Sequence, residues 1–350
     1  MNLKELSAHL GLSQTTVSRA LNGYPEVSEA TRKRVAEAAG AVNYRPNTRA
    51  QGLATGRART IGHVIPISTQ HEMMNPIFAD FIAGAGEVYA EHGYDMHLAV
   101  VPDTDEEKIY RELATKRSVD GVIVHGPVAD DPRLKLLTEL GLPFVVHGRA
   151  GPETVDYAWV DVNNQVAFEQ ATQYLLTQGH RRIALVNGLE RMDFAARRRD
   201  GYLTALTEAG VTPDKRLMTS DEMTEHYGYS ACSAMLELDE PPTALLCSSI
   251  ITAIGVRRAI QERGLRLGVD LSVITHDDVL SYLRNGQDDP IFTATKSSVR
   301  EAGTLCARAL MAQIETPDVA PMQTLLRASL VLGPSCGPAP LAPPKPRSKA

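Results

Sequence analysis

Gln14, Thr15, Ser18 and Arg19 stand within six residues of one another, and their side chains are of the kinds that read and grip DNA. An arginine guanidinium can meet guanine O6 and N7 together, and a glutamine amide can meet adenine N6 and N7. Serine and threonine hydroxyls suit phosphate oxygens. Gln14, Thr15 and Arg19 are therefore the candidates for reading bases, and Ser13 and Ser18 for holding phosphates, with Thr16 between them. The plainer reading is the solvated polar face of a small helical bundle.

A second set is spread through the body of the chain. His125 follows the apolar run Gly121–Val124, His147 follows Phe144–Val146, and Asp277 follows Ser272–Thr275. Arg198 comes soon after Ile183–Val186. Carboxylates, guanidinium groups and imidazoles grip hydroxyls in pairs, so these residues suit a polyhydroxylated ligand such as a sugar. Each has a plainer reading. Asp277 and Asp278 could cap the next helix. A histidine at a strand end is usually a satisfied surface group, and Arg198 lies in a run of three arginines. Adjacent carboxylates rarely converge on one substrate, so Asp277 and Asp278 are not read as an acid/base pair.

The elements that must carry the first set are short helices. Asn2 with Glu5 three residues later has the form of a capping box, and Leu3, Leu6 and Leu10 then share one helical face. Gly11 suits a helix end that needs positive φ. Ser13 caps a second helix with Val17, Ala20 and Leu21 as its apolar side, and Asn22-Gly23-Tyr24-Pro25 breaks it. Ser28 caps a third, with Val35, Ala38, Ala39 and Val42 facing inward. Three such helices with a glycine in the first turn predict a helix-turn-helix over residues 1–45. Residues 46–59 hold one large apolar side chain, Leu53. They read as a basic linker or as a helix that forms on DNA and wedges Leu53 into the minor groove.

Beyond residue 60, short β-rich runs alternate with helical stretches. The strands are predicted at Ile61–Ile65, Met96–Val100, Gly121–Val124, Phe144–Val146, Ile183–Val186, Ala244–Cys247, Ser272–Thr275 and Ile291–Ala294. Helical patterns include Phe78–His92, Val166–Gln178 and Ile254–Arg263. Such alternation predicts βαβ units and parallel sheets, whose ligands bind at the carboxyl ends of the strands.

Charge divides the chain in the same way. Of the net −6, residues 1–59 carry nine Lys/Arg and four Glu, hence +5, which leaves −11 for the remainder. A basic head on an acidic body expects polyanions at the head alone. The four cysteines have no metal-ligand spacing, which suits a reduced, cytosolic protein. No apolar run of ~20 residues and no signal-peptide core occur. The expectation is thus a cytoplasmic, nucleoid-associated protein with no membrane partner, no cofactor and no metal.

The motifs Leu12-Ser13-(x)3-Val17-Ser18-Arg19-(x)2-Asn22-Gly23, Val27-Ser28-(x)2-Thr31-Arg32 and Asn43-Tyr44-Arg45-Pro46-Asn47 resemble the lactose-repressor/galactose-repressor (LacI/GalR) family of bacterial regulators. Thr55-Gly56-Arg57, Ile61-Gly62, Gly179–Ala184, Arg198-(x)2-Gly201-Tyr202 and Ser272–Asp278 extend the likeness through nearly the whole chain. Phe144–Arg149 fits too, although the family often has Asp where Gly148 stands. Within the family the chain looks most like regulators of α-glucoside utilisation operons.

The resemblance implies an all-α helix-turn-helix head and an α/β, periplasmic-binding-protein-like core of two parallel-sheet subdomains. The core would span 60–334, with subdomain one at about 60–160 and 293–324 and subdomain two at about 161–292 and 325–334. The Pro-rich tail 335–350 is expected to be disordered. Asn22, Tyr44, Asn47 and Leu53 join the DNA-binding set. Asp277 and Arg198 match the family's sugar-gripping pair, His125 and His147 fall at variable cleft positions, Phe78 lies on a cleft-lining loop, and Ser297 matches a cleft-lining polar position. Where the family commonly has Asn-Asp, this chain has Ser249-Ile250, which suits a larger ligand than a simple galactoside.

The function implied is a homodimeric repressor of sugar-utilisation genes on a pseudo-palindromic operator, released by a small sugar such as an α-glucoside. A co-repressor of the opposite sign is the alternative within the same fold. A sugar-acting α/β enzyme is disfavoured, since no GxGxxG joins a strand to a helix and no P-loop or HExxH occurs. An exported sugar-binding protein is opposed by the basic head.

Overall fold

A computed structural model describes residues 2–21, 23–42, 44, 56–66, 75–150 and 156–342. Its first three helices are α1 (Leu3–Leu10), α2 (Gln14–Leu21) and α3 (Glu29–Ala41). The sequence signals act as predicted. Glu5 N donates to Asn2 Oδ1 at 2.9 Å and Asn2 N to Glu5 Oε2 at 3.0 Å. Gly11 closes α1 at φ 65°, where a Cβ would be strained. Leu6, Val17 and Val35, one from each helix, are fully buried against one another.

The body consists of two six-stranded sheets. The first holds β1 (Thr60–Pro66), β2 (Asp95–Val101), β3 (Gly121–His125), β4 (Phe144–His147), β5 (Ala158–Val162) and β11 (Gln323–Leu326) in the order β11-β5-β4-β3-β1-β2. All its pairings are parallel. The second holds β6 (Ile183–Asn187), β7 (Met218–Ser220), β8 (Ala244–Cys247), β9 (Ser272–Asp277), β10 (Thr293–Lys296) and β12 (Ser329–Val331) in the order β12-β10-β9-β8-β6-β7. Only β12 runs antiparallel there. Central strands such as β3 and β8 are buried along their whole length. Covering both faces of a parallel sheet requires such unbroken apolar runs, and this is why they were readable. All eight predicted strands occur.

Helices cover the sheets. Around the first lie α4 (Pro76–Glu91), α5 (Glu106–Lys116), α6 (Pro132–Leu140) and α11 (Val299–Glu315). With the second go α7 (Asn164–Thr177), α8 (Asp193–Glu208), α9 (Glu225–Met235) and α10 (Ile250–Glu262). Helix pairs meet backbone to backbone at glycines. A Cβ on Gly84 of α4 would stand 2.1 Å from Arg300 O of α11, and one on Gly255 of α10 would stand 1.9 Å from Glu225 O of α9. Gly255→Ala should therefore force the helices apart, at a cost of about 1–3 kcal/mol that outweighs the better helix propensity of alanine. Gly86→Ala, where nothing lies within 4 Å, should be neutral or slightly stabilising. Thermal melts should place Gly255→Ala well below the wild type and Gly86→Ala at or slightly above it, and equal Tm values for the two variants would remove the close-packing argument.

The chain passes between lobes three times, each a little later than expected. Asp161 and Val162 still pair within the first sheet. Thr293–Lys296 pair with β9 in the second sheet rather than the first, so the crossing follows Lys296. Leu325 and Leu326 remain on β5, so the last crossing follows Leu326. The strands continue as long as hydrogen-bond partners lie beside them, a fact no local pattern records. The tail is also corrected over residues 335–339, while residues 343–350 lie outside the described residues. Ser335 is buried; its Oγ accepts from Thr293 N at 2.9 Å and donates to Val273 O at 2.5 Å. Gly337 N donates to Ser272 Oγ at 3.1 Å, and Ala339 N to Gln178 O at 2.8 Å. Pro- and Gly-rich composition forbids a core but not these backbone bonds along the second lobe.

Contacts also bridge the lobes directly. Ser281 donates from N (2.8 Å) and Oγ (2.6 Å) to the two carboxylate oxygens of Asp80 on α4. At another point Asp193 N donates to Pro127 O at 2.9 Å, and Val128 pairs with Met192. Val279, just before the Ser281 contact, sits at φ 57°, a region that β-branched residues rarely enter.

Candidate functional site

On the head, α2 presents Gln14, Thr15 and Arg19 to solvent, while Thr16 and Ser18 are half-buried. Ser13 is the helix cap: its Oγ accepts from Thr16 N at 3.0 Å and meets Thr16 Oγ1 at 2.8 Å. Val17 and Ala20 hold the opposite side of α2 against the head core, so the exposed side has one orientation. Tyr44 is half-buried and packs on the same core, its N donating to Ala39 O at 2.8 Å. Asn22, Asn47 and Leu53 lie outside the described residues.

The end of the linker is tied to the first lobe. Ala58 N and Arg59 N donate to Asp120 Oδ1 (2.7 Å) and Oδ2 (2.8 Å). Arg59 adopts φ 50°. Arg57 Nη2 donates to Ile314 O at 3.2 Å.

Between the lobes, the first lobe contributes an aromatic and imidazole wall. His125 and His147 end neighbouring strands, with ring centroids 5.9 Å apart. Phe78, at the start of α4, stands edge-on to His125 at 5.2 Å, and Phe81 lies against His147 at 4.4 Å. Burial holds His147 at a pKa of about 4 and keeps His125 well below the ordinary histidine range. Both rings are therefore neutral hydrogen-bonding groups near pH 7.

The second lobe supplies the charge. Arg198 is buried between Phe168 and Phe194, at 5.1 and 5.0 Å from their ring centres. Its Nε donates to Asn164 Oδ1 at 2.8 Å and its Nη1 to Ser248 O at 2.5 Å. Burial lowers its pKa to about 10, so it stays cationic. Asn164 in turn donates to Asp161 Oδ1 at 3.2 Å, and Asp161 Oδ2 accepts from Arg149 Nε at 2.8 Å. A polar line thus runs from Arg149 through Asp161 and Asn164 to Arg198.

The two aspartates divide. Asp277 Oδ1 accepts from Val279 N at 2.8 Å, and burial raises its pKa. Burial also works to raise that of Asp278, but His276, 3.5 Å away, Arg198 and His147 together bring it below the ordinary carboxylate range. Asp278 is thus the carboxylate that shares its field with Arg198 on its own lobe and His147 on the other. His276 bonds Thr295 Oγ1 at 2.9 Å and Ser297 Oγ at 3.1 Å, which brings Ser297 to the same cluster. Ser249 caps α10, its Oγ accepting from Ile251 N at 3.2 Å. Asn187 receives the Ser248 hydroxyl at 2.6 Å.

The structure therefore assembles Phe78, His125 and His147 on one wall and Arg198, Asp278, His276 and Ser297 on the other. Asp277 and Ser249 are adjacent: Asp277 Oδ1 is taken by Val279 N in a tight turn, and Ser249 Oγ caps α10. Asp161, Asn164 and Asp278 were not predicted as site residues; Asp161 lies within β5 and Asn164 just after it, and that strand was itself not predicted. Such a lining of donors and acceptors around aromatic faces can hold a polyhydroxylated molecule. Among the described residues no group of three or more His, Cys, Asp or Glu could hold a metal ion, and no helix is long and apolar enough to cross a membrane.

Comparison with known proteins agrees over the full length. The family model for bacterial regulatory proteins of the lacI family matches residues 2–47. The model for periplasmic binding proteins and the sugar binding domain of the LacI family matches residues 58–328. The HTH-type transcriptional regulator AglR of Rhizobium meliloti (strain 1021) is 46% identical over 348 residues, covering 99% of this chain and 97% of its own. The HTH-type transcriptional regulator RafR of Escherichia coli is 35% identical over 279 residues, 79% of this chain and 82% of its own. Among solved structures, a transcriptional regulator CelR–cellobiose complex superposes with a TM-score of 0.70 at 29% identity, covering 96% of this chain and 99% of that one. The lac repressor dimer bound to operator and an anti-inducer shares the fold, with a TM-score of 0.81 at 24% identity over 96% of this chain and 98% of that one.

Proposed function

Because the chain belongs to the LacI family of bacterial regulatory proteins, we propose that it is a sequence-specific repressor of sugar-utilisation genes, released from operator DNA by a small α-glucoside. The family is one of transcription regulators, not enzymes. One observation carries the reading: a head with an exposed polar face on α2 is followed by a linker whose end is tied to Asp120 and by two lobes that meet around Arg198 and Asp278.

Two copies would place their α2 helices in successive major grooves of a near-palindrome. Gln14, Thr15 and Arg19 read bases. Ser18 and the capped Ser13–Thr16 turn hold phosphate, with Asn22, Tyr44 and Asn47 on the backbone beside them. Leu53 from each copy wedges into the central step, where bending costs roughly 1–6 kcal/mol. In the cleft Arg198 and Asp278 take a hydroxyl pair, Ser297, oriented by His276, takes a further oxygen, and Phe78 covers a ring face. Asp277 and Ser249 shape the same wall. A disaccharide-sized ligand is supported by CelR, a relative seen with cellobiose. Its α-glucosidic nature rests on the sequence likeness to regulators of α-glucoside operons. The protein acts in the cytoplasm, on the nucleoid.

Closure on the sugar shifts the first lobe, and with it the linker held by Asp120. Binding of full-length protein to a site selected from random DNA should weaken roughly 5- to 150-fold on adding maltose, sucrose or trehalose, the usual scale of allosteric coupling. Tightened binding would make the sugar a co-repressor. No response to any of the three would overturn the α-glucoside assignment.

A further inference from the structure

Behind His125, where no cleft ligand reaches, stand two more polar groups. His63 on β1 is fully buried. Its Nδ1 lies 3.0 Å from His125 Nε2, and its Nε2 lies 3.1 Å from the Tyr89 hydroxyl on α4. Tyr89 is 2% exposed, and among the described residues His63 is the one hydrogen-bond partner of its hydroxyl. A single chain therefore runs Tyr89–His63–His125 from the core to the cleft.

A neutral imidazole has one N–H and one lone pair, so the chain has two polarities. Burial keeps His63 neutral, with a pKa of about 3. In the first polarity the phenol donates to His63 Nε2, His63 donates from Nδ1 to His125 Nε2, and the proton of His125 sits on Nδ1. Every group behind the His125 ring is then satisfied, and the one N–H without a partner among the described residues, on His125 Nδ1, stands at the cleft end of the chain and is not fully buried. In the second, His125 donates from Nε2, His63 donates to the phenol oxygen, and the phenol hydrogen has no acceptor among the described residues. An unmet buried donor favours the first polarity by roughly ten- to a hundredfold.

We infer that Tyr89 and His63 are positioning residues that set the tautomer of His125, so that His125 meets the ligand as an Nδ1–H donor. The ligand atom at that point must then be an oxygen acceptor, a sugar hydroxyl lone pair or a ring or glycosidic oxygen. No group among the described residues pairs with His125 Nδ1, while Phe78 and Phe81 stand edge-on to the ring and fix it. The sugar as the acceptor's source rests on the reading given under Proposed function; the tautomer does not.

The test is long-range 1H–15N NMR on sugar-free, full-length protein with ring-labelled histidine, His125 being assigned by the signals lost in His125→Gln. The expected pattern is a protonated Nδ1 and an unprotonated Nε2 on both His63 and His125. Tyr89→Phe, which removes only the phenol oxygen, should turn this pattern into a tautomer mixture. It should also weaken maltose binding by the inverse of the fraction left protonated on Nδ1, about twofold for an even mixture, with sugar-free operator affinity unchanged. A wild-type His125 protonated on Nε2, or ring-nitrogen shifts indifferent to Tyr89→Phe, would overturn the inference. The expected tautomers in a protein that binds no α-glucoside would uphold it and reject the sugar assignment instead.

Discussion

Arg198→Leu is expected to yield a protein that holds its operator as the wild type does but no longer lets go when sugar is added. Arg198 is the buried cation of the cleft, and its guanidinium is fixed by Asn164 and Ser248 between two phenylalanine rings. Leucine can fill the apolar sandwich, so the fold has a tolerable substitute. The sugar has none. Removing one partner from a buried, hydrogen-bonded charged contact costs about 3 kcal/mol or more, a loss of sugar affinity on the order of a hundredfold. Part of that loss comes from Asp278, which keeps His276 beside it but no longer has the arginine's charge. Calorimetric titration of sugar, alongside fluorescence anisotropy of operator DNA with and without sugar, separates the two functions. A variant that still responds at wild-type sugar concentrations would remove Arg198 from the site.

The second large effect is acid lability centred on the histidines under the cleft. Burial holds His63 at a pKa of about 3 and His147 at about 4, against 6.5 for an ordinary histidine. Below pH 6.5 the unfolded chain takes up protons that these folded rings refuse, so stability is intact above pH 6.5 and is lost as pH falls toward the folded values. At pH 5 each of the two costs about 2 kcal/mol, roughly 4 together. His125, also depressed by burial, adds in the same sense. Asp161 and Asp277, whose pKa values burial raises, act in the opposite sense, but only as pH approaches the carboxylate range. Against a typical margin of 5–15 kcal/mol, the urea midpoint should fall steeply between pH 7 and pH 5. His147→Gln, which cannot titrate, should flatten the slope. Equal midpoints at pH 7 and pH 5 in the wild type would mean that the folded protein accepts these protons.

How far the site could be read from the chain differs from residue to residue. Gln14, Thr15 and Arg19 lie on one short helix capped by Ser13, so their common face follows from spacing and from Val17 and Ala20 on the other side. His125 and His147 were placed because each directly follows an apolar strand, and parallel strands end together at a cleft. Asp278 escaped the reading because the resemblance pointed to its neighbour. Which of two adjacent carboxylates turns to the cleft depends on the bend at Val279 and on His276, both tertiary facts. Asn164 and Asp161 escaped because β5 carries Trp, Asp and Val in a five-residue stretch that reads as no clear strand until it pairs with β4 and β11.

Local physical chemistry thus settled the elements from sequence alone. Caps such as Asn2–Glu5 and Ser28 act within one helical turn, apolar runs report their own burial, and the basic head separates from the acidic body by simple counting. Tertiary structure alone decided what long-range partners decide. It carried β10 onto the second lobe beside β9, and it fastened residues 335–339 there through Ser335, Gly337 and Ala339. It set Asp80 against Ser281 across 201 residues of chain, and it lined up Tyr89, His63 and His125. None of those three has a sequence neighbour that reveals its proton, since a tautomer is fixed by whatever buried group faces it, and the fold chooses that group.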